Sequence, residues 1–212
     1  MRLLNLCSGT GSVSAPFRAN GWEVVEVDWD DRFGPTHVVD ITTWDYTVYD
    51  HFDVIWCSPD CTQYSRARTR AKTPRNLDKA DELVSACLRI IEHFRPTCFF
   101  VENPDSGLLK TRDVVRDLAY VRVDYCMYAR PYRKRTRLWT NCSWTPKLCD
   151  RSHLVNKRHV CSAQRGSSCK YNSTFTRDEL HRLPTDLCQE IYDICAAQCQ
   201  SIVMDGAGSS SS

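Results

Sequence analysis

The residues best suited to chemistry lie within Phe52–Arg70, F-D-V-I-W-C-S-P-D-C-T-Q-Y-S-R-A-R-T-R. The apolar run Val54-Ile55-Trp56-Cys57 reads as a buried strand, and Ser58-Pro59-Asp60 ends it. Cys61 then stands on the loop leaving that strand, with Arg66, Arg68, Arg70 and Lys72 close behind. In an open α/β sheet the loops at the carboxyl ends of strands carry the ligand site. A thiol there, among cations that favour its thiolate, suits a nucleophile; the bland alternative is a small buried hydrophobe.

The elements that must position this loop follow in chain order. Residues 3–7 read as an apolar strand, followed by the turn Ser8-Gly9-Thr10-Gly11-Ser12 and a helix through Asn20. Strand, glycine turn and helix open a nucleotide-type βαβ unit, whose glycines let backbone approach a ligand at a helix N-terminus. Glu23–Val27 alternates as a second strand and ends at Asp28-Trp29-Asp30. An acid there, about twenty residues after the glycines, suits ribose hydroxyls. Trp29 could cover an adenine face or pack in the core, and Asp30 could be a solvated turn. Val38–Thr42 reads as a third strand, where Asp40, beside Ile41, could accept from an adenine amino group or cap a turn.

Ala80, Leu83, Val84, Cys87, Leu88, Ile91 and Phe94 recur at helical spacing, with Asp78 as N-cap and Pro96 as the stop. Thr97–Val101 is a fifth strand ending in Glu102-Asn103-Pro104. A desolvated Glu102 beside the Cys61 strand would stay protonated and serve as an acid; a turn carboxylate is the alternative. A short helix near 111–118 and a strand near 121–127 are expected next. Alternation then puts Arg133, Arg135 and Arg137 on one strand face, a row suited to phosphates or an anionic intermediate. The element order predicts a doubly wound sheet covered on both faces.

Composition changes after Asn141. Residues 142–180 show little apolar periodicity but hold cysteines and histidines, of which Cys149, His153, His159 and Cys161 could form a structural zinc site. Leu187, Cys188, Ile191, Ile194 and Cys195 make a closing amphipathic helix, and 205–212 is Gly/Ser-rich and expected to be disordered. The 212 residues suffice for one α/β domain with a small appendage, and the net charge of +2 announces no global nucleic-acid field. Basic residues nevertheless crowd into 66–75 and 130–137. Thirteen cysteines without a recognisable leader suggest a reducing intracellular compartment, and no apolar run is long enough to span a bilayer.

Taken together, these motifs resemble the DNA cytosine-5 methyltransferase family, most closely its compact viral or phage-type members. The family's F-x-G-x-G loop for S-adenosylmethionine stands here as Cys7-Ser8-Gly9-Thr10-Gly11, and its P-C-Q-x-F-S nucleophile loop as Cys61-Thr62-Gln63-Tyr64-Ser65. Its E-N-V element appears as Glu102-Asn103-Pro104 and its Q-x-R-x-R element as Arg133–Arg137. The resemblance covers 3–141, in family order. It implies a Rossmann-like class I fold divided into a catalytic domain (1–141), a small target-recognition segment (142–180) and a returning helix (181–204). It also implies S-adenosylmethionine as cofactor, held by Cys7 to Ser12, Asp28, Trp29, Asp40, Ile41 and Ser58, and double-stranded DNA as partner of a monomer. In the implied reaction Cys61 adds to C6 of a flipped cytosine, Glu102 engages N3, and Arg135 holds the loop and base. Ser65, Arg66, Arg68, Arg133 and Arg137 would contact the substrate, making binding salt-sensitive. A viral member would work in the host cytoplasm or nucleus.

Three departures stand out: Asp60 for the usual proline, a charge that could raise the Cys61 pKa; Cys7 for phenylalanine; and Arg133 for glutamine. The glycine-asparagine motif before the last helix is missing. A recognition segment this small should read a short or loosely defined site. Rival readings are an amino-methyltransferase, since Ser58-Pro59-Asp60-Cys61 echoes an S-P-P-[YFW] loop, RNA cytosine methylation, and a binding protein that has lost catalysis. The first lacks the stacking aromatic at Cys61.

Overall fold

The computed structural model describes residues 1–68, 71–154, 159 and 175–207, the last six of these as backbone alone. The strands are β1 (Arg2–Leu6), β2 (Glu23–Asp28), β3 (His37–Val38), β4 (Val54–Cys57), β5 (Cys98–Pro104), β6 (Tyr120–Asp124) and β7 (Arg135–Thr140). They form one sheet in the order β3-β2-β1-β4-β5-β7-β6. The pairs β1–β2, β1–β4, β2–β3 and β4–β5 are parallel, and β7 runs antiparallel to both its neighbours.

Among the described residues four helices flank it: α1 (Ser14–Ala19), α2 (Leu77–Phe94), α3 (Arg177–His181) and α4 (Thr185–Ala207). Leu3, Val54, Trp56 and Phe100 share one core with Phe17 of α1 and Leu187 and Ile191 of α4. Leu4, Leu6, Ile55, Cys57 and Val101 share the other with Val84, Cys87 and Ile90 of α2. Strands buried on both faces carry apolar residues on both sides, which is why β4 reads as a continuous run and β1 is interrupted only by buried Asn5 after Arg2. Leaving β1, the chain builds β2 and β3 to one side and β4 and β5 to the other, so a crevice opens at the carboxyl ends of β1 and β4.

Several expected elements differ in extent. The third strand is only His37–Val38, because Asp40 Oδ1 takes the N–H and hydroxyl of Thr42 and turns the chain. The N-cap of α2 is Asn76, whose side chain accepts from the Lys79 N–H, and Asp78 lies in the first turn. The helix expected near 111–118 is instead two 3₁₀ turns, Leu109–Thr111 and Asp113–Val115. Arg112 between them is extended and tied to Asp81 of α2 at 2.7 Å, which interrupts the helical path. The strand expected to reach 127 stops at Asp124 and passes into a 3₁₀ turn, Tyr125–Met127. The segment after Asn141 begins on the core: Cys142 is buried and Trp144 Nε1 donates to Glu190 of α4 at 2.8 Å.

Candidate active site

The crevice is lined by residues from each element that ends there. The loop after β1 contributes Cys7, Ser8, Gly9 and Thr10; the loop after β4 contributes Ser58, Pro59, Asp60 and Cys61. Glu102 enters from β5, Lys134 from the approach to β7, and His181 and Leu183 from the turn before α4.

The glycine loop is shaped by backbone only glycine adopts freely: Gly9 has φ +49° and Gly11 φ +64°. Gly9 N–H donates to the buried Asp28 carboxylate at 2.8 Å, and Asp30 N–H donates to its other oxygen at 2.9 Å. Asp28 therefore holds the loop's shape from behind. A Cβ on Gly11 would lie 2.8 Å from Glu26 Oε1, a buried oxygen without a partner. The Ser8 hydroxyl, also buried, has none either and lies at the crevice. Trp29 is 75 % exposed, which excludes the core-packing alternative. Asp28, Trp29, Asp40 and Ile41 do not themselves line the crevice; Asp40 is exposed and Ile41 packs in the core. The Ser58 hydroxyl accepts from Trp56 Nε1 at 2.7 Å. Cys7, partly buried, has its thiol pushed up by hydrogen bonding with Cys87 and by burial.

Cys61 is partly buried and its pKa is pushed up to about 11, by burial first and then by the charge of Glu102, with Asp60 adding and Lys134 opposing. No described residue of the basic loop is among the leading influences on it. Arg68 donates to the carbonyl and hydroxyl of Thr73, each at 2.7 Å, and Arg75 donates to the carbonyls of Gln63 and Ser65. These arginines brace the loop against itself, while Arg66 is exposed. Ser65 Oγ accepts from Ala67 N–H at 3.2 Å. Tyr64, fully buried, anchors the loop to α2 through its hydroxyl and Asp81 at 2.7 Å. Asn103 Nδ2 donates to Pro59 O at 3.0 Å and ties β5 to the approach of Cys61.

Glu102 is 8 % exposed, and burial raises its pKa against the opposing influence of Lys134 and the Tyr125 hydroxyl. Its partner in β7 is Leu138, so alternation puts Leu138, Thr136 and Lys134 on the Glu102 face. The ladder continues one step further, with Tyr125 N–H donating to Lys134 O at 3.2 Å. The Lys134 ammonium donates to Leu180 O at 3.0 Å and lies 4.9 Å from the Tyr125 ring centre. Arg135 and Arg137 face the other side of the sheet. Arg135 binds both oxygens of buried Asp124, at 3.0 and 2.6 Å, and Arg133, which precedes the strand, reaches the same carboxylate at 3.0 Å. Arg137 pairs with Asp105 at 2.9 Å and covers Tyr120. The arginine row therefore meets internal carboxylates, and the cation in the crevice is Lys134. No sequence signal marks it, because the face of Lys134 follows from the register between β5 and β7.

Of the expected zinc ligands, Cys149, His153 and His159 come together, while Cys161 lies outside the described residues. So do Arg70, Cys169 and the end of the Gly/Ser-rich tail.

A sheet of this order with a glycine loop at its switch point defines a Rossmann-like methyltransferase fold. The solved structures agree. A candidate DNA modification methyltransferase encoded within an Escherichia coli prophage matches with a TM-score of 0.52 and 16 % identity, over 70 % of this chain and 51 % of its own. The Entamoeba histolytica methyltransferase EhMeth matches with a TM-score of 0.50 and 13 % identity, over 75 % of this chain and 56 % of its own. This chain thus spans about half the length of those two proteins. The model of the C-5 cytosine-specific DNA methylase family matches residues 1–118. The "Probable DNA (cytosine-5)-methyltransferase" of Frog virus 3 (isolate Goorha) is 34 % identical over 221 residues, 92 % of this chain and 100 % of the relative. The chain belongs to the C-5 cytosine-specific DNA methylase family. Among the described residues no helix is long and apolar enough to cross a membrane.

Proposed function

We propose that this chain methylates C5 of a cytosine flipped out of double-stranded DNA, through a covalent bond from Cys61 to C6. The observation that carries the reading is convergence: Cys61, Glu102 and the Ser8–Thr10 loop line one crevice, delivered by three adjacent strands.

The glycine loop fits the family's cofactor, S-adenosylmethionine. Ser8 offers an unpartnered hydroxyl, Gly9 and Gly11 keep side chains out of the loop, and Trp29 presents an open aromatic face beyond β2. When bound, the cofactor supplies an electrophilic methyl group.

C5 of cytosine is a weak nucleophile until the ring is activated. Buried Glu102, its pKa raised, carries a proton toward N3 and draws electron density from the ring. Protonating Glu102 also removes the negative charge that raises the Cys61 pKa, so the acid and the nucleophile are prepared together. The Cys61 thiolate adds to C6, and C5 becomes the reactive carbon. Lys134 faces both groups and stabilises negative charge on either. After transfer a base takes the C5 proton and the Cys61 sulfur leaves. His181 lines the crevice with its pKa lowered, first by burial and then by Lys134, so at neutral pH its imidazole is uncharged and able to accept a proton. Asn103 and Arg135 position: the first holds the Cys61 loop, the second fixes β7 against Asp124.

Exposed Arg66 and the braced 66–75 loop would run along phosphates, and the 142–180 segment would read a short site. Eleven free cysteines among the described residues support an intracellular location, in host cytoplasm or nucleus.

The test is methyl transfer from labelled S-adenosylmethionine to plasmid DNA, followed by nucleoside mass spectrometry. 5-Methylcytosine in the DNA is the expected product. N4-methylcytosine, label in RNA alone, or no label would each overturn the reading. Mapping the modified positions tests the small recognition segment, and a long strict site would contradict it.

A further inference from the structure

Below β6, on the Asp124 side of β7, four metal-ligating side chains meet. Cys126 lies in the 3₁₀ turn that follows β6, and Cys149, His153 and His159 come from the segment beyond the core. Their sulfur and nitrogen atoms all lie within 4.8 Å of one another. The Cys149 sulfur is 3.4 Å from His159 Nε2 and 3.9 Å from His153 Nε2. Metal–ligand lengths of about 2.3 Å to sulfur and about 2.0 Å to nitrogen put tetrahedral neighbours roughly 3.3–3.8 Å apart. The cluster is therefore nearly closed around a point able to hold a small ion.

The surroundings support a built site. Cys149 N–H donates to Asp124 Oδ2 at 2.9 Å, and that carboxylate, fully buried, also binds Arg133 and Arg135. One ligand's backbone is thus fixed to the most heavily bonded acid of the sheet. Lys147 O accepts from Asp124 N–H at 3.3 Å and brings the segment alongside the strand. Cys126, Cys149 and His159 are each partly buried.

We propose that Cys126, Cys149, His153 and His159 hold a structural zinc ion that clamps the segment after the core to the end of β6. Two thiolates and two imidazoles in a closed tetrahedral set suit zinc, and no ligand position is left open for chemistry. Each thiol releases its proton on binding. His153 and His159 are separated by five residues, a spacing common among zinc sites, whereas Cys126 is remote in sequence and joins through the fold. The ion does for a segment with few apolar residues what a hydrophobic core would otherwise do, and it places the segment beside the crevice-forming strands.

The test is elemental analysis of the full chain purified under reducing conditions, together with single variants. One zinc per chain is expected in the unaltered protein and in Cys161→Ser, with loss in Cys126→Ser and His159→Ala. Because those variants can unfold, cobalt is also exchanged into the unaltered protein, where intense d–d bands with thiolate charge transfer report a tetrahedral site with two sulfur ligands. A metal-free chain overturns the proposal. So does zinc that survives Cys126→Ser, or a cobalt spectrum of octahedral or sulfur-free coordination.

Discussion

The Cys61 thiol is held largely protonated in the free protein, and the pH dependence of its alkylation reveals this. Its pKa of about 11 stands against an ordinary 9.0, raised by burial and then by Glu102. At pH 8 that lowers the thiolate fraction roughly 100-fold, an unfavourable ~2.7 kcal/mol at 1.36 kcal/mol per unit. A more basic thiolate is also more nucleophilic, and with a Brønsted slope of ~0.4–0.5 two units return about 8-fold. The net rate at pH 8 is then only about tenfold below that of an ordinary thiol, too small a margin to decide anything. The slope decides. Brief pulses of iodoacetamide from pH 7 to 10, with mass spectrometry of the Cys61 peptide, should show the rate rising about tenfold per pH unit without a plateau. Glu102→Gln removes the second-largest cause of the shift, so the rate should begin to level at lower pH. A rate that levels off between pH 9 and 10 in the unaltered protein, or a Glu102→Gln profile that does not move, refutes the reasoning.

Lys134→Met should lower the methyl-transfer rate roughly 10-fold to 100-fold with cofactor affinity unchanged, because it removes the cation facing both Cys61 and Glu102. Arg135→Met should show its main effect in urea denaturation, since its guanidinium binds Asp124 on the opposite face. Asp124→Asn leaves two partly exposed arginines with a neutral partner, and a loss of about 2 kcal/mol in stability is expected. For Asp124 itself, burial raises the pKa, but Arg135, the Cys149 N–H and Arg133 outweigh it and bring the carboxyl down from 3.8 to about 2. Because the folded value lies below the unfolded one, the pair contributes about 2 kcal/mol above pH ~4 and loses it as pH falls through ~2. Acid denaturation curves of the Asp124→Asn protein should lack that component. Gly11→Ala forces a Cβ within 2.8 Å of Glu26 Oε1 at φ +64°, and calorimetry with S-adenosylhomocysteine should show at least about tenfold weaker binding.

The frame of the molecule was readable because its central strands are short, rich in apolar residues and followed by turn residues. Val54–Cys57 followed by Ser58-Pro59-Asp60 placed Cys61 on a loop at a strand's carboxyl end, where the structure has it. Ser8–Gly11 was legible because glycine at positive φ leaves a mark that few other residues imitate. Errors arose where a side chain far along the chain overrules local pattern. Arg112 bonding to Asp81 breaks the expected helix near 111–118 into two turns. Alternation correctly grouped Arg135 and Arg137, but which face they shared depended on the register between β5 and β7, and that set Lys134 beside Glu102. The cations behind Cys61 looked activating because sequence shows proximity along the chain. In space Arg68 bonds to the Thr73 carbonyl and Arg66 is exposed, while Glu102 and Asp60 face the thiol. Cys126 was invisible as a member of the cysteine–histidine cluster for the same reason: the other three come from beyond β7.

The central claim is a covalent bond between Cys61 and cytosine C6, and a duplex carrying 5-fluorocytosine tests it most directly. Fluorine at C5 cannot leave as a proton does, so incubation with the protein and S-adenosylmethionine should trap the adduct as a slower band on a denaturing gel. The account predicts that band with the unaltered protein and its absence with Cys61→Ala. Methyl transfer to DNA without a trapped band, or a band that persists in Cys61→Ala, would contradict it.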